Sequence, residues 1–204
     1  MNSLPSPDWS KGGGLLPAVV QDADTQQVLM LGYMNAAALE QTLATKRVTF
    51  FSRSKNRLWT KGESSGHFLD LVSVEADCDA DALLVLARPN GPTCHRGTCS
   101  CFGEGGASGT GFLAGLDRTV AERLAAGDEK SYTVRLVREG VKRVAQKVGE
   151  EGVETALAAT AGDNAELANE AADLLYHLIV LLRAKGLSLG DALRVLEQRH
   201  AAKR

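Results

Sequence analysis

The spacing of apolar positions along this chain of 204 residues changes near residue 105. Upstream, short apolar runs are β-branched, aromatic or alternating. VTFF (48–51), FLDLVSVEA (68–76) and LLVLA (83–87) each predict a β-strand. One helix is expected over Asn35–Thr45, with Asn35 placed to cap it. Downstream, the apolar period lengthens to that of helices. A stripe at Leu113, Leu116, Val120 and Leu124 predicts a helix over 112–126. A longer stripe through Val134, Val137, Val141, Val144, Val148 and Thr155 predicts one over 133–160. Residues 165–185 are apolar almost all round. Ser188 followed by Asp191 resembles a capping box, opening a last helix to about His200.

Between the two textures lies GEGGASGTG (103–111), rich in glycine and serine and without an apolar anchor. Such a stretch predicts a flexible linker, placed at 106–111. The expected plan is two domains, a β-rich α+β domain over 1–105 and an all-α domain over 112–204. No internal repeat is visible.

Composition narrows the function classes. Net charge is −2, and 44% of residues are hydrophobic, as in ordinary globular proteins. This balance gives no general reason to expect nucleic-acid or membrane partners. The longest apolar run, Leu174 to Leu182, contains Tyr176 and His177 and is too short to span a bilayer. The first residues show no charged segment followed by an apolar stretch, so a cytoplasmic protein is expected. All four cysteines, Cys78, Cys94, Cys99 and Cys101, fall within 24 residues. In a reducing compartment such a cluster points to metal or catalysis more than to disulfides.

Cys78 sits inside DCDADALL (77–84). If the preceding strand continues, Val72, Val74, Ala76 and Cys78 face one side. Ser73, Glu75, Asp77, Asp79 and Asp81 then face the other. Hard carboxylates suit Mg²⁺ and a thiolate suits Zn²⁺, so two ions on opposite sides are expected. An EF-hand is excluded: Ala82 stands where its glycine belongs and Arg88 where its glutamate belongs. A solvated acidic edge is the plainer alternative. GPTCHRGTCSCF (91–102) adds three thiols by spacing, with Cys99 read as the spare. Three thiolates and an open position can hold a catalytic zinc, and His95 can serve as a base or fourth ligand. Between Glu40 and Glu63 the chain carries Lys46, Arg47, Arg53, Lys55, Arg57 and Lys61 and no acid. Ser52 and other hydroxyls and glycines interleave with them, which suits phosphate. A solvated hairpin explains the same charges.

In the second half, Glu151 and Glu154 are spaced i, i+3 and share a helical face. Glu170 and Asp173 repeat that spacing on the next helix. Glu151 continues the stripe of Val144 and Val148, which points it inward. Four carboxylates between two helices repel one another unless cations sit among them. Surface pairs such as Glu150 with Glu154 need only solvation.

With these motifs in view, residues 9–105 resemble phosphoribosyl-AMP cyclohydrolase of histidine biosynthesis. The resemblance rests on GLLPAVVQDADTQQVLMLGYMN, FFSRSKNRLWTKGESSGH, DCDADALL and GPTCHRGTCSCF in that order. It implies zinc at Cys78, Cys94 and Cys101, one ion per domain, with ligands shared across a homodimer interface. It also implies Mg²⁺ at Asp77, Asp79 and Asp81. The implied reaction is hydrolytic opening of the adenine ring between N1 and C6, with His95 as proton acceptor. Arg53, Lys61 and Ser52 are assigned to substrate from charge and hydroxyls. Phe51, Gly32 and Arg96 depart from the usual Trp, Ala and Thr.

Residues 112–200 resemble phosphoribosyl-ATP pyrophosphohydrolase, one of the all-α, MazG-like pyrophosphohydrolases. SYTVRLVREGVKRVAQKVGEEGVETALAA and ELANEAADLLYHLIVLL carry this likeness. It implies Mg²⁺ at Glu151, Glu154, Glu170 and Asp173, and an oligomer built by helix pairing. Glu151 and Glu154 are also taken as catalytic, and Lys147 as meeting phosphate. Gly152 departs from the usual Ala, and His177 is read as a packed or supporting residue rather than a catalyst. Together the two resemblances imply consecutive hydrolyses on phosphoribosyl nucleotides, with no nucleic acid or membrane as partner. The rivals are a housekeeping nucleotide pyrophosphatase with a structural zinc domain, and a zinc-ribbon binding module tethered to a helical dimerisation domain.

Overall fold

The computed structural model describes residues 6–103 and 106–202. The ends of both expected domains, and residues 104–105 of the glycine-rich stretch, therefore lie outside the described residues. The chain divides into two compact units, Met1–Phe112 and Leu113–Arg204.

The first unit is built on a four-stranded sheet. Its strands are β1 (Leu16–Asp22), β2 (Val28–Met34), β5 (Leu69–Ala76) and β6 (Leu83–Pro89), in the order β2-β1-β6-β5. β1 pairs antiparallel with β2 and parallel with β6, and β6 pairs antiparallel with β5. A helix, α1 (Ala36–Thr45), and a hairpin of β3 (Thr49–Ser52) and β4 (Arg57–Thr60) fill the crossover. Asn35 caps α1 as expected, its side chain accepting from Ala38 N at 2.8 Å. Thr42 Oγ1 bonds the Ala38 carbonyl and accepts from Thr49 N, which ties α1 to β3.

One face of the sheet makes the core. Ala18 and Val20 of β1 and Leu83, Val85 and Ala87 of β6 are buried there with Val48, Phe50 and Leu69. LLVLA thus alternates in burial although its sequence is continuously apolar. Gly32 lies against Phe50: a Cβ there would stand 2.4 Å from the ring. The strands β1, β2 and β4 carry no pattern that predicted them above.

Two expectations about β5 are corrected. The register shifts between Leu71 and Ser73, so the core side passes from Leu69 and Leu71 to Val74 and Ala76. Val72 falls on this bulge and is exposed rather than sharing the face of Val74. The strand also ends at Ala76, and residues 77–82 form the turn to β6. Ala80 is left-handed with φ 63°, and Asp77 accepts from the Asp81 and Ala82 amides at 2.9 and 3.0 Å. Alternation therefore does not reach Cys78, which is exposed.

The second unit is helical among its described residues. Its elements are α2 (Thr110–Ala126), α3 (Tyr132–Arg138), α4 (Val141–Ala161), α5 (Asn164–Ala184) and α6 (Leu189–Ala201). α2 starts within the stretch read as linker. The helix expected over 133–160 is two helices. Gly140, with φ 102°, sits between them in a conformation that excludes other residues from easy use. The stripe resets at this break, and Val141 is exposed. Val120, Leu136, Val144, Ile179 and Val180 form the core. Asp163 caps α5 after a short connection from α4, and Ser188 with Asp191 forms the expected capping box on α6. Asp117 of α2 is buried and takes a forked bond from Arg183 of α5, with both contacts at 2.6 Å. It also accepts from Leu189 N at 3.3 Å, so one carboxylate joins three helices. No helix among the described residues is long and apolar enough to cross a membrane.

Candidate active sites

The first unit holds a cavity of about 530 Å³ whose walls include Met30, Trp59, Lys61, His67, Thr93, Cys94, His95 and Cys101. Local chemistry shapes each wall. Lys61 follows β4 and is anchored by its amide on the Val48 carbonyl at 2.9 Å. Its side chain is buried, and burial pushes its pKa down, against the pull of Cys101 and Cys94. Residues 94–98 form a turn, with Cys94 N bonding Thr98 O at 3.0 Å and Gly97 N bonding Cys94 O at 3.0 Å. Cys101 N bonds Leu29 O at 2.8 Å, fixing the loop to β2.

The two thiols are electrostatically distinct. The Arg96 amide, then the Thr98 hydroxyl and the Cys101 thiol, hold the Cys94 pKa below its ordinary value. Burial and the neighbouring Cys94 push Cys101 up. Cys94 is thus poised to ionise first, the form that binds metal. His95 Nδ1 lies 3.9 Å from Cys94 Sγ. Cys78 does not form a ligand cluster with them within one chain, among the described residues. Two thiols with a nearby imidazole fit zinc chemically, but one chain assembles only part of a tetrahedral site.

Arg53 and Ser52 are not in the cavity wall. Arg53 lies over the Tyr33 ring at 3.9 Å, and Ser52 Oγ accepts from Lys55 N in the β3–β4 turn. Conversely, Met30, Trp59, His67 and Thr93 line the cavity without having been singled out. Only the neighbouring motifs signalled them: Trp59 lies two residues before Lys61, and Thr93 precedes Cys94.

Asp77, Asp79 and Asp81 do gather: their oxygens lie within 4.8 Å of one another. The turn brings them together, not a shared strand face. Backbone amides of Ala82 and Asp81 lower Asp77, whereas the charges of Asp79 and Asp77 and desolvation raise Asp81. Lys11 Nζ meets Asp79 Oδ2 at 3.0 Å. Hard oxygens with surplus negative charge fit Mg²⁺.

In the second unit, Glu151, Glu154 and Glu170 form the other such cluster among the described residues, also within 4.8 Å. Asp173, one turn beyond Glu170, is exposed and is not part of that set. Glu151 is 4% exposed. Lys147 Nζ sits 2.7 Å from Glu151 and 3.1 Å from Glu150, which lowers both carboxyls and raises the lysine. Glu154 moves the other way, raised by desolvation and by the charges of Glu151 and Glu170. One lysine does not neutralise three gathered carboxylates, and their oxygens fit a hard divalent ion.

Comparison with known proteins settles what these two units are. Residues 30–103 match the family model of phosphoribosyl-AMP cyclohydrolase, and residues 113–200 match that of phosphoribosyl-ATP pyrophosphohydrolase. The histidine biosynthesis bifunctional protein HisIE of Xylella fastidiosa (strain Temecula1) is 63% identical over 198 residues, covering 97% of this chain and 95% of that protein. HisIE of Xanthomonas campestris is 61% identical over 199 residues, 98% of this chain and 95% of its own. HisIE of Escherichia coli K12 is 58% identical over 193 residues, 95% of each.

The chain belongs to the HisIE family. It is a bifunctional enzyme of histidine biosynthesis, with the cyclohydrolase domain first and the pyrophosphohydrolase domain second. These matches do not favour a housekeeping pyrophosphatase or a binding module. In this frame the thiol cavity belongs to the cyclohydrolase and the glutamate cluster to the pyrophosphohydrolase.

Proposed function

We propose that the helical, MazG-like domain acts first, converting phosphoribosyl-ATP to phosphoribosyl-AMP and pyrophosphate. Glu151, Glu154, Glu170 and Asp173 would hold Mg²⁺, and Lys147 would meet the phosphates. Bound there, Mg²⁺ neutralises phosphate charge and lowers the pKa of water. Glu151 and Glu154 orient the attacking water and take its proton.

The strand-rich domain then opens the adenine ring of phosphoribosyl-AMP between N1 and C6. Zinc would be held by Cys78, Cys94 and Cys101, where it supplies an activated water near neutral pH. Trp59 and Met30 offer apolar walls to the base, Lys61 a charge, and His95 a proton acceptor. Asp77, Asp79 and Asp81 would hold Mg²⁺, with Arg53 and Ser52 in reach of phosphate at the β3–β4 turn. Cys78 is exposed and apart from the other two thiols, which supports a homodimer that completes each zinc site with Cys78 from the other copy. Exposed Val153, Leu157 and Leu175 on α4 and α5 likewise support helix pairing between copies. The domains are joined through residues 106–111, the last two of which already belong to α2, and the enzyme works in the cytoplasm.

The observation that carries this reading is the placement of the soft donors: thiols line a cavity in the strand-rich domain, whereas the helical domain gathers hard carboxylates and holds no cysteine. Metal withdrawal tests it. Protein stripped of metal and given Mg²⁺ alone should release pyrophosphate from phosphoribosyl-ATP without the ultraviolet change of ring opening. Zn²⁺ should then restore ring opening. Ring opening with Mg²⁺ alone would contradict the assignment.

A further inference from the structure

His177 is a buried titratable residue that the mechanism above does not use. It is 5% exposed, on α5, beside Ile179 and Val180 of the core. An aliphatic side chain would fill that space without the cost of burying a ring nitrogen. Both nitrogens are engaged instead. Nδ1 lies 2.9 Å from the main-chain carbonyl of Asp173 and 3.6 Å from Glu151 Oε1. Both neighbours are acceptors, so Nδ1 carries the proton and donates to Asp173 O. Nε2 is then the acceptor, and the Tyr132 hydroxyl, 3.2 Å away on α3, is its donor.

The ring is held on its other sides too. Tyr176 packs against it at 5.2 Å in a T arrangement, and the Tyr176 hydroxyl meets Thr133 Oγ1 at 2.7 Å. The first turn of α3 is thereby latched to α5 through two phenols. The Nδ1–H edge of this fixed ring faces Glu151 Oε1, the oxygen that also takes Lys147 at 2.7 Å. These contacts converge on one oxygen of a carboxylate that also belongs to the cluster with Glu154 and Glu170.

We infer that His177, locked as the Nδ1–H tautomer by Asp173 and Tyr132, is a positioning residue that orients the Glu151 carboxylate for divalent-metal binding. The inference rests on reading the glutamate cluster as a Mg²⁺ site. Groups that orient metal ligands typically contribute 10–100-fold to affinity, and the ring here lies 3.6 Å from a carboxylate of the cluster.

Two substitutions separate positioning from packing. Asn keeps a donor at the position of Nδ1, whereas Gln moves its amide outward to the position of Nε2. The readout is the Mg²⁺ concentration that stabilises the helical domain, followed by circular dichroism, beside the Mg²⁺ requirement of pyrophosphate release. His177→Gln should weaken Mg²⁺ about 10-fold, and His177→Asn should keep the parental affinity. A folded His177→Gln protein with parental Mg²⁺ affinity would overturn the role. So would equal losses in both variants, since the donor would then not matter. If either variant fails to fold, Tyr132→Phe takes its place. Removing the hydroxyl that locks the ring should weaken Mg²⁺ by roughly threefold, and unchanged affinity would overturn the role. Glu170→Gln is the control for the site itself. If it leaves Mg²⁺ stabilisation intact, the glutamate cluster is not the metal site. If it abolishes stabilisation while His177→Gln has no effect, only the positioning role fails.

Discussion

In the helical domain, Glu151 and Glu154 meet because they are three residues apart on α4, and Glu170 joins them from the adjoining helix. In the strand-rich domain, Lys61, Cys94 and Cys101 meet only after the chain has crossed from β4 through β5 and β6 to the loop beyond. The first site is local geometry repeated on two helices. The second depends on strand pairing over long sequence separations. A carboxylate pair set by helical period survives small changes in packing. A cavity closed by distant loops depends on every strand between them.

That contrast can be sharpened by perturbing each domain alone. Both tryptophans, Trp9 and Trp59, lie in the strand-rich unit, so their fluorescence reports that unit, while helical circular dichroism weights the other. The largest expected effect is in the helical domain. Asp117→Ala removes the carboxylate that joins α2, α5 and α6 and leaves Arg183 partly buried without its partner. It should destabilise the helical transition by about 3 kcal/mol and leave the fluorescence transition in place. A common shift of both transitions would mean that the domains do not unfold separately.

Next is Gly32→Ala, with the opposite pattern. The added methyl group meets the buried Phe50 ring, so the fluorescence transition should fall by about 1–3 kcal/mol with the helical one unchanged. The absence of any shift would show that β2 yields locally. The smallest effect is a pH dependence. Ser188 holds the Asp191 pKa below its ordinary 3.8. The capping box therefore adds stability above about pH 3.8 and loses it as pH falls through the lower folded value. Amide exchange at the start of α6 should quicken across that window in the parent, and the acid-dependent step should be absent in Asp191→Asn.

The same contrast decides what the sequence revealed. Four of the helices follow directly from apolar stripes and caps, because a helix is specified by residues within a few turns. The break at Gly140 was hidden, since Val137 and Val141 keep the period across it while the backbone does not. Val144, Val148 and the buried Glu151 stayed in phase, so the carboxylate pair was legible. The membership of Asp173 was not settled by spacing, because i, i+3 places two residues on a face but does not aim their side chains at a third. In the strand-rich domain, β1 and β2 alternate too weakly in sequence to be read. DCDADALL gathers its aspartates, but through a left-handed turn at Ala80 that alternation cannot anticipate. Trp59 of β4 and Thr93 of the loop after β6 lie on the cavity wall because strand pairing brings distant segments together, and no short window contains that information.

The central claim is that one chain carries two separable hydrolytic sites, and single-turnover reaction of phosphoribosyl-ATP with two folded variants tests it most directly. Cys94→Ala should lose ring opening, by about 100-fold or more, and retain pyrophosphate release. Glu170→Ala should lose pyrophosphate release and still open the ring of phosphoribosyl-AMP supplied directly. Loss of both activities in either folded variant would contradict the two-site account.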